Sequence, residues 1–280
     1  MKGKVYNTIN VVFDLLIMVA VQIAIVFVIL LLPGALTIIR EVGARGYSSF
    51  GAIPIGIMRS IIDENWAFQM LIRFVRCAGI FLAPFFFEYF RKKKDISRRC
   101  IRSLRPEWRE ILKGLLRGTA FIAMSIALTA LISFSFPDFR IEEIGMQREH
   151  SLLIVLNLLF WCVSTEIFSR LYLFIRASNV PYALFVVLSC CLHIYSAIGF
   201  FSVMDFYRVI YLVLISLFLA LRMLTESPTQ GNIGFNIMAT FFLAFGVEPC
   251  LKKTSMGVFT VLVLMCAYEL FILRKKLEIT

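Results

Sequence analysis

A chain of 280 residues with 60% hydrophobic and 17% charged side chains and a mean hydropathy of +0.86 cannot be a soluble domain, because one core cannot hide that much apolar surface. A net charge of +11 would point to nucleic acid in a soluble chain, but here most of the excess lies in one block beside an apolar run. It therefore reads as topology and lipid contact, and no nucleic-acid partner is expected.

With 28 Phe and no alternating polar pattern, helices rather than a barrel must satisfy the backbone in lipid. The expected fold class is all-α: a polytopic helical membrane protein with about eight transmembrane helices in a single membrane domain over residues 1–280. The seven cysteines show no framework spacing, so neither a disulfide nor a zinc site is expected.

Lys2 and Lys4 precede an apolar run over 11–32. A secretory h-region is shorter, roughly 7 to 15 residues, and no cleavage pattern follows, which predicts a retained first span. Asp14 near its start is expected at the interface. Glycines 43, 46, 51 and 56 with Pro54 mark loop, and 52–62 reads as a short amphipathic piece on the membrane surface. The second span, 66–90, carries Arg73 and Arg76, which either snorkel or face the bundle. The basic residues of 91–117 follow, among them Arg91, Arg98, Arg102, Arg109, Lys113 and Arg117. Such a block fixes the cytoplasmic side and is drawn to a bilayer with anionic headgroups.

Further spans are expected at 115–136, 151–175, 180–200, 204–223, 232–247 and 256–273, the seventh being short for a hydrocarbon core of roughly 30 Å. A cytoplasmic N-terminus puts the basic block, Arg176, Arg222 and Arg274–Lys276 all inside, so both termini are expected in the cytoplasm. Lys252 and Lys253 fall outside in this arrangement.

Two of these spans carry groups that do not belong in lipid. Glu166 and Arg170, four apart, share a helix face and can pair, which lowers the cost of keeping either in a membrane. Glu166 lies nine residues before the cytoplasmic end of the fourth span, about 14 Å, and His193 thirteen residues into the fifth, about 20 Å. The short connection 177–179 makes these helices antiparallel neighbours, so the three side chains can meet within the membrane. A buried carboxylate beside a guanidinium can act as base towards water, with His193 orienting that water or donating to an oxyanion. The plain alternative is a helix-packing ion pair beside a core histidine. One His and one Glu are too few for a catalytic zinc, so no metal and no cofactor is expected.

Thr165-Glu166-x-x-x-Arg170 resembles the Glu-Glu-x-x-x-Arg motif of the CPBP family, the CAAX proteases and bacteriocin-processing enzymes also called Abi proteins. His193 matches the histidine that ends the family's Phe-x-x-x-His motif on the next span. Gly231-Asn232-Ile233 resembles the lead-in to its third motif, His-x-x-x-Asn, and Arg105-Pro106-Glu107-Trp108-Arg109 the lead-in to its core. The resemblance covers roughly 100–250, flanked by two N-terminal spans with the basic segment (1–99) and a final span with a basic tail (251–280). It implies a metal-independent intramembrane endopeptidase in which Glu166 activates water, with Arg170 and His193 beside it. Thr165 replaces the first glutamate, Ser189 the motif phenylalanine, and Thr240 and Ala244 the third-motif histidine and asparagine. Asn236, one turn before Thr240, is the candidate replacement donor.

Three functions follow as expectations. The first is peptide hydrolysis at Glu166, Arg170, His193 and Asn236; the second is a catalytically dead relative that binds a peptide or membrane-protein partner in immunity or assembly. The third is a transporter or channel component, with Asp205, Arg208, Arg73 and Arg76 lining a pathway.

Overall fold

The computed structural model describes residues 2–44, 66–91, 94–103, 107–135, 151–176, 180–198, 206–225, 229–243 and 251–279, and all its regular elements are helical. In chain order they are α1 (Lys2–Ala44), α2 (Trp66–Phe90), α3 (Lys94–Ser103), α4 (Trp108–Ser135), α5 (Ser151–Glu166), a π-helical turn (Ile167–Leu171) and α6 (Tyr172–Arg176). They continue with α7 (Tyr182–Ala197), α8 (Phe206–Thr225), α9 (Thr229–Phe241) and α10 (Leu251–Ile279). The segment 52–62, the loop 137–150, Asp205 and Ala244 lie outside the described residues.

Six stretches are long and apolar enough to cross a bilayer: Thr8–Arg40, Trp66–Phe90, Trp108–Leu131, Leu152–Arg176, Phe206–Thr225 and Gly257–Glu278. This is an all-α, polytopic integral membrane protein. Two of the expected spans are shorter. The 16 residues of α7 and 13 of α9 rise roughly 24 Å and 20 Å, less than a hydrocarbon core. Protein buries α9 from Gly231 to Asn236 and again at Ala239 and Thr240, so its length is set by its neighbours rather than by lipid.

Glycine lets α9 lie against α4. A Cβ on Gly114 would stand 2.1 Å from the Gly231 carbonyl oxygen, and one on Gly234 would stand 2.3 Å from that of Ile111. At these two glycines the helices touch backbone to backbone, while Gly118 makes room for the Met238 side chain. Among the described residues this is the most extensive helix contact.

Two apolar clusters fill the bundle. One gathers Phe121, Trp161, Cys162, Phe218, Phe235 and Val258 from α4, α5, α8, α9 and α10. The other gathers Met18, Ile80, Ile167, Phe168, Leu171 and Ala220 around α1, α2 and the π turn. The π turn begins where the chain passes from the first cluster to the second.

Asp14 is 8% exposed and pairs with both Arg91 at the end of α2 and Arg176 at the end of α6. Beside this latch Tyr172 donates to Glu88 Oε1 at 2.6 Å, and Glu88 is itself 1% exposed. The latch thereby ties α1, which packs along α2, to the ends of both α2 and α6. Arg76 faces the bundle: its Nη2 donates to the Tyr195 carbonyl at 3.1 Å, while the Tyr195 hydroxyl donates to Gln22 of α1.

Candidate functional site

Glu166, Arg170 and His193 are all 0% exposed, so none of them snorkels. Arg170 holds the group together. Its Nη1 donates to Glu166 Oε1 at 2.5 Å, and its Nη2 lies 2.7 Å from His193 Nδ1 and 3.4 Å from Ser216 Oγ. A guanidinium has no acceptor, so Nδ1 must accept and the imidazole is neutral with its proton on Nε2. His193 Nε2 and Glu166 Oε2 then project a donor and an acceptor that have no hydrogen-bond partner among the described residues.

The surrounding hydroxyls fix these groups in place. Trp161 Nε1 donates to the Ser196 carbonyl at 3.1 Å, and its ring meets that of His193 edge-on with centroids 5.5 Å apart. Ser196 Oγ donates to the His193 carbonyl at 2.7 Å, which leaves Thr165 as donor to Ser196 Oγ at 3.1 Å. Thr165 thus binds the Ser196 hydroxyl of α7 and not a side chain of the trio. Ser216 donates to the Ser189 carbonyl at 3.4 Å and so links α8 to α7.

The π turn starts immediately after Glu166 and contains Arg170. Within it Ser169 Oγ donates to the Thr165 carbonyl at 2.6 Å, satisfying an oxygen at the place where the hydrogen-bond ladder is reset. Such turns insert one residue into a helix, and they gather at functional sites.

Asn236 reaches the same region from α9 without touching the trio. Cys162, one turn before Glu166, donates to the Asn236 carbonyl at 3.7 Å. Thr240 Oγ1 donates to Asn236 Oδ1 at 3.2 Å, which holds the amide so that Nδ2 is the end left without a partner among the described residues. Asn232 is spent on structure: its Nδ2 donates to the Leu219 carbonyl at 3.1 Å.

Sequence reasoning misses several members of this shell. Arg222, 1% exposed, lies close enough for its charge to act on Glu166, yet its place near a helix end makes it read as a topology marker. Ser216, Ser196 and Trp161 carry no motif at all. Outside this shell, Glu269, 5% exposed on α10, accepts from Thr225 at 2.7 Å, and a carboxylate inside an apolar run is its signal in the sequence. Cys190 is half-buried and Cys191 exposed, and among the described residues no three His, Cys, Asp or Glu side chains converge as metal ligands would. Arg208 is buried at 5% exposure at the start of α8.

No family model, no curated protein and no solved structure matches this chain.

Proposed function

We propose that this membrane protein is a CPBP-like intramembrane endopeptidase in which Glu166 is the base. The observation that carries the reading is the convergence of Glu166, Arg170 and His193, with one acceptor and one donor left over on buried atoms. Glu166 Oε2 takes a proton from water as the oxygen bonds to the peptide carbonyl carbon. His193 Nε2–H and Asn236 Nδ2–H are the donors available to the oxyanion. The proton on Glu166 then passes to the departing amine as the C–N bond breaks.

Cleavage of a quenched-fluorescent apolar peptide in proteoliposomes tests this. Glu166→Gln and His193→Ala should each lower the rate about a hundredfold or more, and the double variant should cost little beyond either one. Unchanged cleavage in Glu166→Gln would sink the mechanism.

Thr165 and Thr240 favour a second reading, a non-catalytic relative that binds a peptide or membrane partner. Their hydroxyls stand where the family has a carboxylate and a histidine, and both are engaged in holding neighbours. In that case His193→Ala would keep the cellular role while wild type shows no cleavage.

The reading also places both termini in the cytoplasm. Cys100 is a poor reporter, because burial first and the charge of Glu88 second push its thiol up to about 12. Exposed Arg99 is the better position. In sealed cells an impermeant maleimide should miss a cysteine at Arg99 and label one at Glu142; labelling at Arg99 would reverse the topology.

A further inference from the structure

A helix that ends inside a membrane must find protein donors for its last carbonyls, because the water that would satisfy them is absent there. The helix α7 ends in this way: it starts beside the end of the span Leu152–Arg176 and rises roughly 24 Å, short of a hydrocarbon core of roughly 30 Å. Its Ile194 carbonyl takes the Ile198 N–H at 3.0 Å. The next two carbonyls are met by side chains of other helices. Arg76 Nη2 of α2 donates to that of Tyr195 at 3.1 Å, and Trp161 Nε1 of α5 to that of Ser196 at 3.1 Å.

The two caps differ in kind. Trp161 is a neutral donor, whereas Arg76 brings a positive charge to a helix end where the backbone dipoles leave a partial negative one. The Arg76 guanidinium carbon also lies 5.8 Å from the centroid of the Tyr195 ring, and the Tyr195 hydroxyl donates to Gln22 of α1, itself 3% exposed. Side chains of α1, α2 and α5 therefore converge on one turn of α7. That turn carries His193, two residues before the carbonyl that Arg76 caps. His193 Nδ1 lies 2.7 Å from Arg170 Nη2, and a slip of about 1 Å along α7 would break such a bond.

We infer that Arg76 is a positioning residue for His193: as the charged cap of α7 it holds the imidazole at the height where Nδ1 meets Arg170. Its effect on cleavage rests on the endopeptidase reading above. Its effect on the imidazole does not.

Nitrogen NMR of the full chain in nanodiscs, isotope-labelled at histidine in a His150→Gln background that leaves one histidine, reads the imidazole directly. The protein with Arg76 should show one neutral tautomer, protonated on Nε2 and bare on Nδ1. Arg76→Met should add the signals of the other tautomer, and Arg76→Lys, which keeps a charged donor, should restore the single set. In the cleavage assay Arg76→Met should lower kcat about tenfold with KM unchanged. Gly257→Ala is the control, since it puts a Cβ 2.5 Å from Thr129 Oγ1 where α10 meets α4. It should lower the unfolding midpoint and leave the tautomer fixed. A folded Arg76→Met protein with an unchanged spectrum would overturn the inference, as would mixed tautomers in Gly257→Ala. Where Arg76→Met does not fold, Trp161→Phe removes the neighbouring cap and keeps a ring against His193; mixed tautomers there support the capping and an unchanged spectrum overturns it. A fixed tautomer in a wild type that cleaves nothing would remove Glu166 as base and leave the cap in place.

Discussion

Replacing Glu166 with alanine should lower the stability of the protein in detergent by about 3 kcal/mol or more, because it strands a guanidinium with no exposed surface. Among the described residues Arg170 would keep a neutral imidazole and a distant serine hydroxyl as its hydrogen-bond partners. Glu166→Gln should fall between the two, since an amide oxygen still accepts from Nη1 but carries no charge. The double change Glu166→Leu, Arg170→Leu is the decisive companion. Replacing both members of a buried pair by apolar groups is often close to neutral, so the double variant should be more stable than Glu166→Ala alone. Equal unfolding midpoints for wild type and Glu166→Ala would show that the charge on Glu166 does not stabilise the bundle.

A second large effect is expected at Gly114. Alanine there puts a methyl carbon 2.1 Å from the Gly231 carbonyl oxygen, and the obstructing atom is backbone, which no rotamer change can move. The helices must part, at a cost of about 3 kcal/mol or more in lost contact between α4 and α9. Since α9 carries Asn236 and Thr240, the same displacement should loosen the amide beneath Cys162. Gly43→Ala is the control, because a Cβ at that position meets nothing within 4 Å. The prediction fails if the two alanine variants unfold at the same midpoint.

Much of this was legible because the bilayer simplifies the code. Apolar runs of sufficient length become helices, and an ionisable residue inside one needs a nearby partner, so the i, i+4 spacing of Glu166 and Arg170 and the depth of His193 foretold their meeting. What escaped has a common cause: it depends on which helices are neighbours. Asp14 finds Arg176 across 162 residues, and nothing local to the first span distinguishes that from an interfacial aspartate. Arg222 is hidden by its position near a helix end. The partial occupation of Asn236 by Thr240 follows from rotamers, and the π turn from packing on both sides of it; hydrophobic periodicity records neither.

That turn resolves a problem of phase. In an unbroken α-helix each residue advances about 100°, so adding one residue swings everything beyond it by roughly that angle. The helix must aim Trp161, Cys162 and Glu166 towards α7 and α9, and Tyr172 and Arg176 towards Glu88 and Asp14. The extra residue between them acts like the offset on a vernier. It lets the inner polar group and the membrane-end latch each keep its own angular setting on one continuous rod. Shortening the turn by a residue would align one set only by misaligning the other, so the length of the segment 167–171 is itself a specification of the fold.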